Sequence, residues 1–169
     1  MSGPVFVDTN VIVYAYDTAY PAKQKIAADL LNKLWRGQAG RTSIQVLNEL
    51  YVTLTRKLAR PLRSEEAWDV VHALMVWDPQ PIDRSVLLEA RQIEQRYRLG
   101  WWDSLIISAA QAQGCRMIAT EDLQHGMIID QVLISNPFRA GAQEPTPRYD
   151  VVPERTSRHR ARGRPRKTA

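Results

Sequence analysis

One cysteine, Cys115, is all the thiol chemistry this chain has. No intramolecular disulfide can form, and no Cys/His spacing suits a zinc site. A nucleophilic cysteine would need a histidine base, so the plainer expectation for Cys115 is a small semi-apolar filler after Gly114. Long hydrophobic runs are missing too. No stretch approaches the roughly 18 apolar residues of a membrane span, and the opening V-F-V-D-T-N lacks the basic lead-in of a signal peptide. The chain is therefore expected to be cytoplasmic and to make no membrane contact. Internal repeats are absent. What remains is the composition of an ordinary globular domain, 44% hydrophobic and 24% charged, in a length of 169 residues.

The formal net charge of +5 is spread unevenly. Seven of the 23 basic residues, Arg155, Arg158, Arg160, Arg162, Arg164, Arg166 and Lys167, lie in the last 15 positions without a single acid. The preceding 154 residues hold 16 basic against 18 acidic groups, a faintly acidic body with a strongly basic tail.

Short apolar β-type runs alternate with helical patterns up to residue 138. Pro4–Val7 reads as a strand buried on both faces. Pro21 suits a first helical position, Ile26, Leu30, Leu31 and Leu34 follow at helical spacing, and Gly37 ends the helix. Arg41–Ser43 is a second strand, and Ser43 caps a helix striped by Leu47, Leu50, Tyr51, Leu54 and Leu58. Ser64 is expected to cap the next, with Trp68, Val71, His72 and Met75 on one face and His72 partly buried. Pro81–Asp83 reads as a strand remnant and cap, and Val86, Ala90, Ile93 and Tyr97 mark the helix that follows. Asp103 opens a nearly all-apolar helix, closed by Gly114. Met117–Ala119 and Val132–Ile134 read as closing strands. Strands separated by helices imply a parallel sheet with helices on both faces. From residue 139 on, Pro, Gly, Arg and Ser dominate, and a disordered extension is expected over 139–169, beyond a domain at 1–138.

Four acids fall at telling places on this map. Asp8 ends the first strand, Glu49 lies in the helix after the second, Asp103 begins the apolar helix, and Asp122 follows Met117–Ala119. The carboxyl ends of parallel strands share one rim, where ligands bind. Two carboxylates about 4 Å apart repel by about 4 kcal/mol at an effective dielectric near 20, unless a counter-charge intervenes. An oxygen-rich anionic pocket suits Mg²⁺ or Mn²⁺ and the hydrolysis of phosphodiesters. Each acid alone has a plainer role. Asp8 and Asp103 fit as helix caps and Asp122 as a turn residue. Glu49, about 200° around its helix from Leu47, reads from periodicity as a solvated surface acid.

The stretches V-F-V-D-T-N-V-I-V-Y, S-I-Q-V-L-N-E-L, G-W-W-D-S-L-I-I-S-A-A and I-A-T-E-D-L-Q-H-G resemble, in order, the four motifs of PIN-domain nucleases, most of all the toxin components of bacterial VapBC-type toxin–antitoxin pairs. The resemblance covers about residues 4–138. It implies a three-layer α/β/α sandwich with a mostly parallel sheet, and a metal-dependent endoribonuclease using Mg²⁺ or Mn²⁺. It makes Asp8, Glu49, Asp103 and Asp122 the catalytic, metal-holding quartet, with Asn10 and Thr120 as supporting polar positions. It also implies an RNA substrate, a homodimer and an antitoxin protein that blocks the site. Such toxins usually end soon after the last strand, whereas this chain continues to residue 169. The alternative is a catalytically silent PIN-fold protein that binds nucleic acid, DNA included, through its tail.

Of the other candidates, one of Trp101 and Trp102 is expected in the core, the other being either an ordinary surface residue or a platform for an unpaired base. His125 is expected to be an ordinary loop residue. In the tail, R-G-R-P-R-K at 162–167 resembles an AT-hook, whose arginines lie in the narrow minor groove of A/T-rich DNA. A nonspecific arm that neutralises phosphates on any polyanion accounts for the same residues. Each phosphate neutralised on a single strand adds about −0.7 to the slope of log K against log salt. Deleting residues 155–169 is therefore expected to flatten that slope by up to about 5. Salt titrations on single-stranded RNA and on A/T-rich and mixed duplexes check this: equal slopes with and without the tail would show that it binds no nucleic acid, and an A/T preference lost in Arg164→Ala would select the AT-hook.

Overall fold

A computed structural model of the protein describes residues 3–139. The basic extension, its expected disorder and the seven cations between Arg155 and Lys167 lie outside the described residues.

The chain enters in β1 (Val5–Val7), whose Phe6 and Val7 are fully buried. It turns at Asp8 into α1 (Thr9–Tyr14), a helix that the sequence signals only through Asp8 as a possible cap. T-N-V-I-V-Y is rich in β-branched residues and reads locally as strand. All six are buried in the helix, and the Asp8 carboxylate caps it by accepting from the backbone N–H of Thr9 at 2.7 Å, so burial overrides a weak local propensity. α2 (Pro21–Arg36) begins at proline and ends at Gly37, as its sequence signals indicate. It turns Lys23, Ala27 and Leu34 inward and leaves Ile26, Leu30 and Leu31 half-buried.

β2 (Gly40–Arg41) pairs parallel with β1. Ser43 then caps α3 (Ile44–Arg56), accepting from the backbone N–H of Val46 at 3.3 Å. The following helix, α4 (Ser64–Leu74), corrects two expectations. Its cap is Arg63, whose backbone N–H donates to the Glu66 carboxylate at 2.9 Å, so Ser64 is the first helical residue. Its buried line is Ala67, Val71 and Leu74, continued by Trp77 in a short 3-10 turn (Met75–Trp77). Trp68, His72 and Met75 stand on the exposed flank. The His72 ring stacks on Trp68 in solvent instead of entering the core.

Asp83 caps α5 (Arg84–Tyr97), and its stripe of Val86, Ala90 and Ile93 is buried as expected. Arg98, at φ 55°, ends that helix and leads into α6 (Trp101–Ala112), whose residues from Ser104 to Ala110 are all buried. β3 (Met117–Ala119), β4 (Ile128–Ile129) and β5 (Val132–Ser135) complete the sheet. β4, too short to show a period in sequence, is antiparallel to β5 through a turn in which Asp130 adopts φ 53°. No helix among the described residues is long and apolar enough to cross a membrane.

The sheet order is β2-β1-β3-β5-β4, parallel except at β4. From β1 the chain moves outward one way to β2, then returns past β1 to β3 and on to β5. With right-handed crossovers this reversal distributes the helices over both faces and opens a crevice between the carboxyl ends of β1 and β3. This is the α/β fold expected, and the reversal point is where Asp8 and Asp122 emerge.

Among the described residues, Gly40 is the one glycine fixed by a close approach to a buried ring. A Cβ built on it would lie 2.3 Å from Cε2 of the buried Trp77. Gly40→Ala is expected to destabilise the fold by about 1–3 kcal/mol, the usual cost of overpacking. In a Trp77→Ala background the same change should cost clearly less, as measured by a double-mutant cycle in urea. Equal costs in both backgrounds would show that the ring does not set the requirement.

Candidate active site

Three chain segments meet at the crevice: the end of β1, the turn after β3 and the start of α6, with α3 alongside. Asp8 is nearly inaccessible and is surrounded by donors. Thr9 N–H donates to its Oδ1 at 2.7 Å, while Asn10 Nδ2 and the Thr120 hydroxyl donate to its Oδ2 at 3.1 and 2.8 Å. Asn10 Nδ2 also reaches Asp122 Oδ2 at 2.8 Å and Thr120 Oγ1 at 3.1 Å. The backbone N–H groups of Glu121 and Asp122 donate to Asn10 Oδ1 and Thr120 Oγ1 at 3.3 and 3.2 Å. Glu49 joins from α3, accepting from the Thr9 hydroxyl and from Gln45 Nε2, each at 3.0 Å. Asp103 is the third residue of α6, behind a Gly100 cap, so it is not itself the cap.

Donors this numerous suit an ionised Asp8, yet its pKa is pushed up to about 7. Burial is the main cause, and the negative charges of Asp122 and Glu49 add to it. Among the described residues, what opposes the rise is hydrogen bonding from Thr120 and Thr9, not a neighbouring cation. Asp103 is raised for related reasons: burial first, then the charges of Asp122 and Glu49. Asp8 and Asp103 are therefore both exposed to the charges of Asp122 and Glu49. Among the described residues, however, no three acidic, histidine or cysteine side chains form a ready-made cage for an ion. Such a cage is not required by Mg²⁺, which binds through one or two carboxylates and keeps several waters. The donors here are all hard oxygens, and Asp8 is dressed for a charge that its surroundings otherwise oppose. These residues fit a hard divalent cation.

The PIN domain family matches residues 5–126, from β1 through the turn that follows Asp122. The chain belongs to the PIN domain family. PIN domains are generally nucleases that use divalent metals such as Mg²⁺. No curated protein matches the chain. The matched PIN region contains all four acids and both supporting residues, Asn10 and Thr120. A cavity of about 660 Å³ lies elsewhere on the PIN domain, lined by Val5, Leu30, Lys33, Leu34 and Met117 among others. It has no acidic lining among the described residues.

Of the acids, Glu49 is the one whose surroundings contradict its periodicity. It is half-buried rather than solvated, because Thr9 holds it from across the crevice and Gln45 from one turn earlier in α3. Trp101 packs against the core and Trp102 is exposed, the split expected of adjacent residues. His125 accepts from the backbone N–H of Asn136 through Nδ1 at 3.0 Å and so ties its loop to the end of β5. Cys115 is a buried filler whose thiol is pushed up to about 12 by burial, useless as a nucleophile. The sequence reading passed over Thr9 and Gln45, which hold Glu49, and the buried trio Tyr14, Lys23 and Glu121. No local pattern marks a lysine in an amphipathic helix as buried, and Lys23 is only 4% exposed.

A raised carboxyl pKa has a defined effect on stability. Folding favours the protonated form of Asp8, so its contribution is complete below the ordinary value of 3.8 and is lost as pH rises through about 7. Asp103, shifted the same way, adds to this. The metal-free protein is expected to melt at a higher temperature at pH 5 than at pH 8, with the difference reduced in Asp8→Asn. Calorimetry in EDTA checks it. A melting temperature that rose with pH over this range would remove the crowded-acid account.

Proposed function

We propose that the protein is a Mg²⁺- or Mn²⁺-dependent endoribonuclease, the toxin of a toxin–antitoxin pair. The observation that carries the reading is Asp8, a buried carboxylate given three hydrogen bonds yet facing two further acids. In this reading Asp8 and Asp103 are the principal ligands, with Glu49 and Asp122 completing the acidic set. When bound, the ion supplies Lewis acidity toward a phosphodiester and lowers the pKa of water beside it. Asn10 and Thr120 keep Asp8 and Asp122 in register, as partners that orient ligands do. Thr9 and Gln45 do the same for Glu49.

The approach of a polyanion to an acidic crevice needs cations nearby. Arg56 lies seven residues after Glu49 on α3, almost the same helical face, and Arg56, Lys57 and Arg60 are exposed in a stretch without acids. Together with the tail they offer contacts to phosphates on either side of the bond to be cut. Single-stranded or looped RNA exposes its phosphates and bases best. Trp102, 44% exposed beside Asp103, is placed to stack on such a base. The homodimer and the antitoxin belong to the same reading. Val76, Leu88 and Ile128, each more than half exposed, offer apolar surface for protein contacts. A silent nucleic-acid binder accounts less well for the crevice, since such a protein gains nothing from negative charge where phosphates approach.

Asp8→Asn and Asp103→Asn are each expected to abolish RNA cleavage without unfolding the protein. Mn²⁺ at a hundredfold excess over its Kd should stabilise the parent by about 2.7 kcal/mol, roughly 5–10 °C in Tm, and this shift should vanish in Asp103→Asn. Cleavage of total RNA with Mn²⁺ or EDTA, together with melting curves, checks both. Full activity in the two variants, or a Mn²⁺ shift that persists in Asp103→Asn, would sink the proposal.

A further inference from the structure

The Thr120–Asp122 turn is irregular backbone, so sheet geometry alone does not decide which of its side chains faces the acids. Glu121 and Asp122 are consecutive acids with opposite fates. Asp122 is met by Asn10. Glu121 is held instead by α1 and α2: its carboxylate accepts from the Tyr14 hydroxyl at 2.7 Å and from Lys23 Nζ at 2.6 Å. Lys23 also donates to the Tyr14 hydroxyl oxygen at 3.0 Å, and its ammonium lies 4.2 Å from the Tyr14 ring centre and 5.1 Å from that of Phe138. The side chains of the ion pair are 5% and 9% exposed.

Stability is a poor explanation for such a pair. Desolvating two charges costs about what their attraction returns, and a hydrophobic replacement of similar size often serves as well. The field at the crevice is a poor explanation too, because the two charges cancel. What the pair does contribute is a fixed position. It grips the middle residue of the turn from behind, while Asn10 Oδ1 and Thr120 Oγ1 receive the backbone N–H groups of Glu121 and Asp122. We propose that Lys23 and Glu121 are positioning residues that clamp the turn so that Asp122 is presented to the acid crevice. Lys23 thereby makes α2, which holds none of the four crevice acids, part of the site's support. The consequence for metal binding rests on the nuclease reading above; the clamp itself does not.

The test removes the polar trio as a unit, by Tyr14→Phe, Lys23→Met and Glu121→Leu together in the full-length protein, so that no buried partner is orphaned. If this variant fails to fold, Lys23→Met with Glu121→Gln, which keeps an acceptor for Tyr14, takes its place with the same readouts. The first readout is amide hydrogen exchange without metal. The amides at positions 121 and 122 should exchange about tenfold faster than in the parent, while those of Ile118 and Ala119 stay unchanged. The second is the Mn²⁺ concentration for half-maximal cleavage, which should rise about tenfold with KM for RNA unchanged, the usual scale for losing a group that orients a ligand. A merely structural pair predicts a changed Tm with neither of these effects. Unchanged exchange at positions 121 and 122 overturns the clamp. A parent that neither cleaves RNA nor gains stability from Mn²⁺ overturns the nuclease reading instead, and the exchange result still decides whether the turn is clamped.

Discussion

The side-chain amide of Asn10 joins what the sheet only brings near. Its Nδ2 lies within 3.1 Å of oxygens on Asp8, Thr120 and Asp122, and its Oδ1 receives the backbone N–H of Glu121. Two hydrogens shared among three acceptors leave no freedom for rotation, so the ends of β1 and β3 are held in one arrangement. α1 depends on this too, since Asp8 is at once its cap and the most buried acid of the crevice. An aspartate there would add repulsion and a leucine would leave the acceptors without a donor, which is why the short amide suits the position.

The crevice lies where the strand order reverses, and its acids crowd together at a cost. Burial and two neighbouring charges push Asp8 up, and related influences push Asp103 the same way. Folding tolerates this only because the strong apolar packing of α6 and the buried strand residues outweighs it. The hydrogen bonds around Asp8 are arranged for the ionised form that burial disfavours. Such a conflict, retained in an otherwise well-satisfied interior, is what the proposed metal site would call for.

How much of this was legible in the sequence depends on the kind of information each feature needs. Local chemistry was enough for the Ser43 and Asp83 caps, for Pro21 and Gly37 at the ends of α2, and for the buried stripe of α5. Asp8, Asp103 and Asp122 could be placed near one rim because strand ends and helix starts mark themselves. Periodicity failed where a tertiary partner decides the outcome. Thr9, forty residues away in the chain, draws Glu49 out of solvent. The tertiary packing around T-N-V-I-V-Y turns a strand-like run into α1. In α4 the reading was one residue out in rotation, because Trp68 is apolar enough to look buried although Ala67 occupies the inner position.

Glu121 and Asp122 show most directly how position divides structural from chemical roles. The two share one charge and adjacent places in the chain. Glu121 has a lysine buried with it at 2.6 Å, so its charge is answered inside the fold and does not reach the crevice. Asp122 stands with Asp8, whose other neighbours include Glu49, and there the charges reinforce one another. A protein that could bury one counter-charge beside this turn could have placed another beside Asp8. Among the described residues it placed hydrogen-bond donors there instead, which fix the carboxylate's geometry and leave its charge unanswered, as the proposed metal site would require.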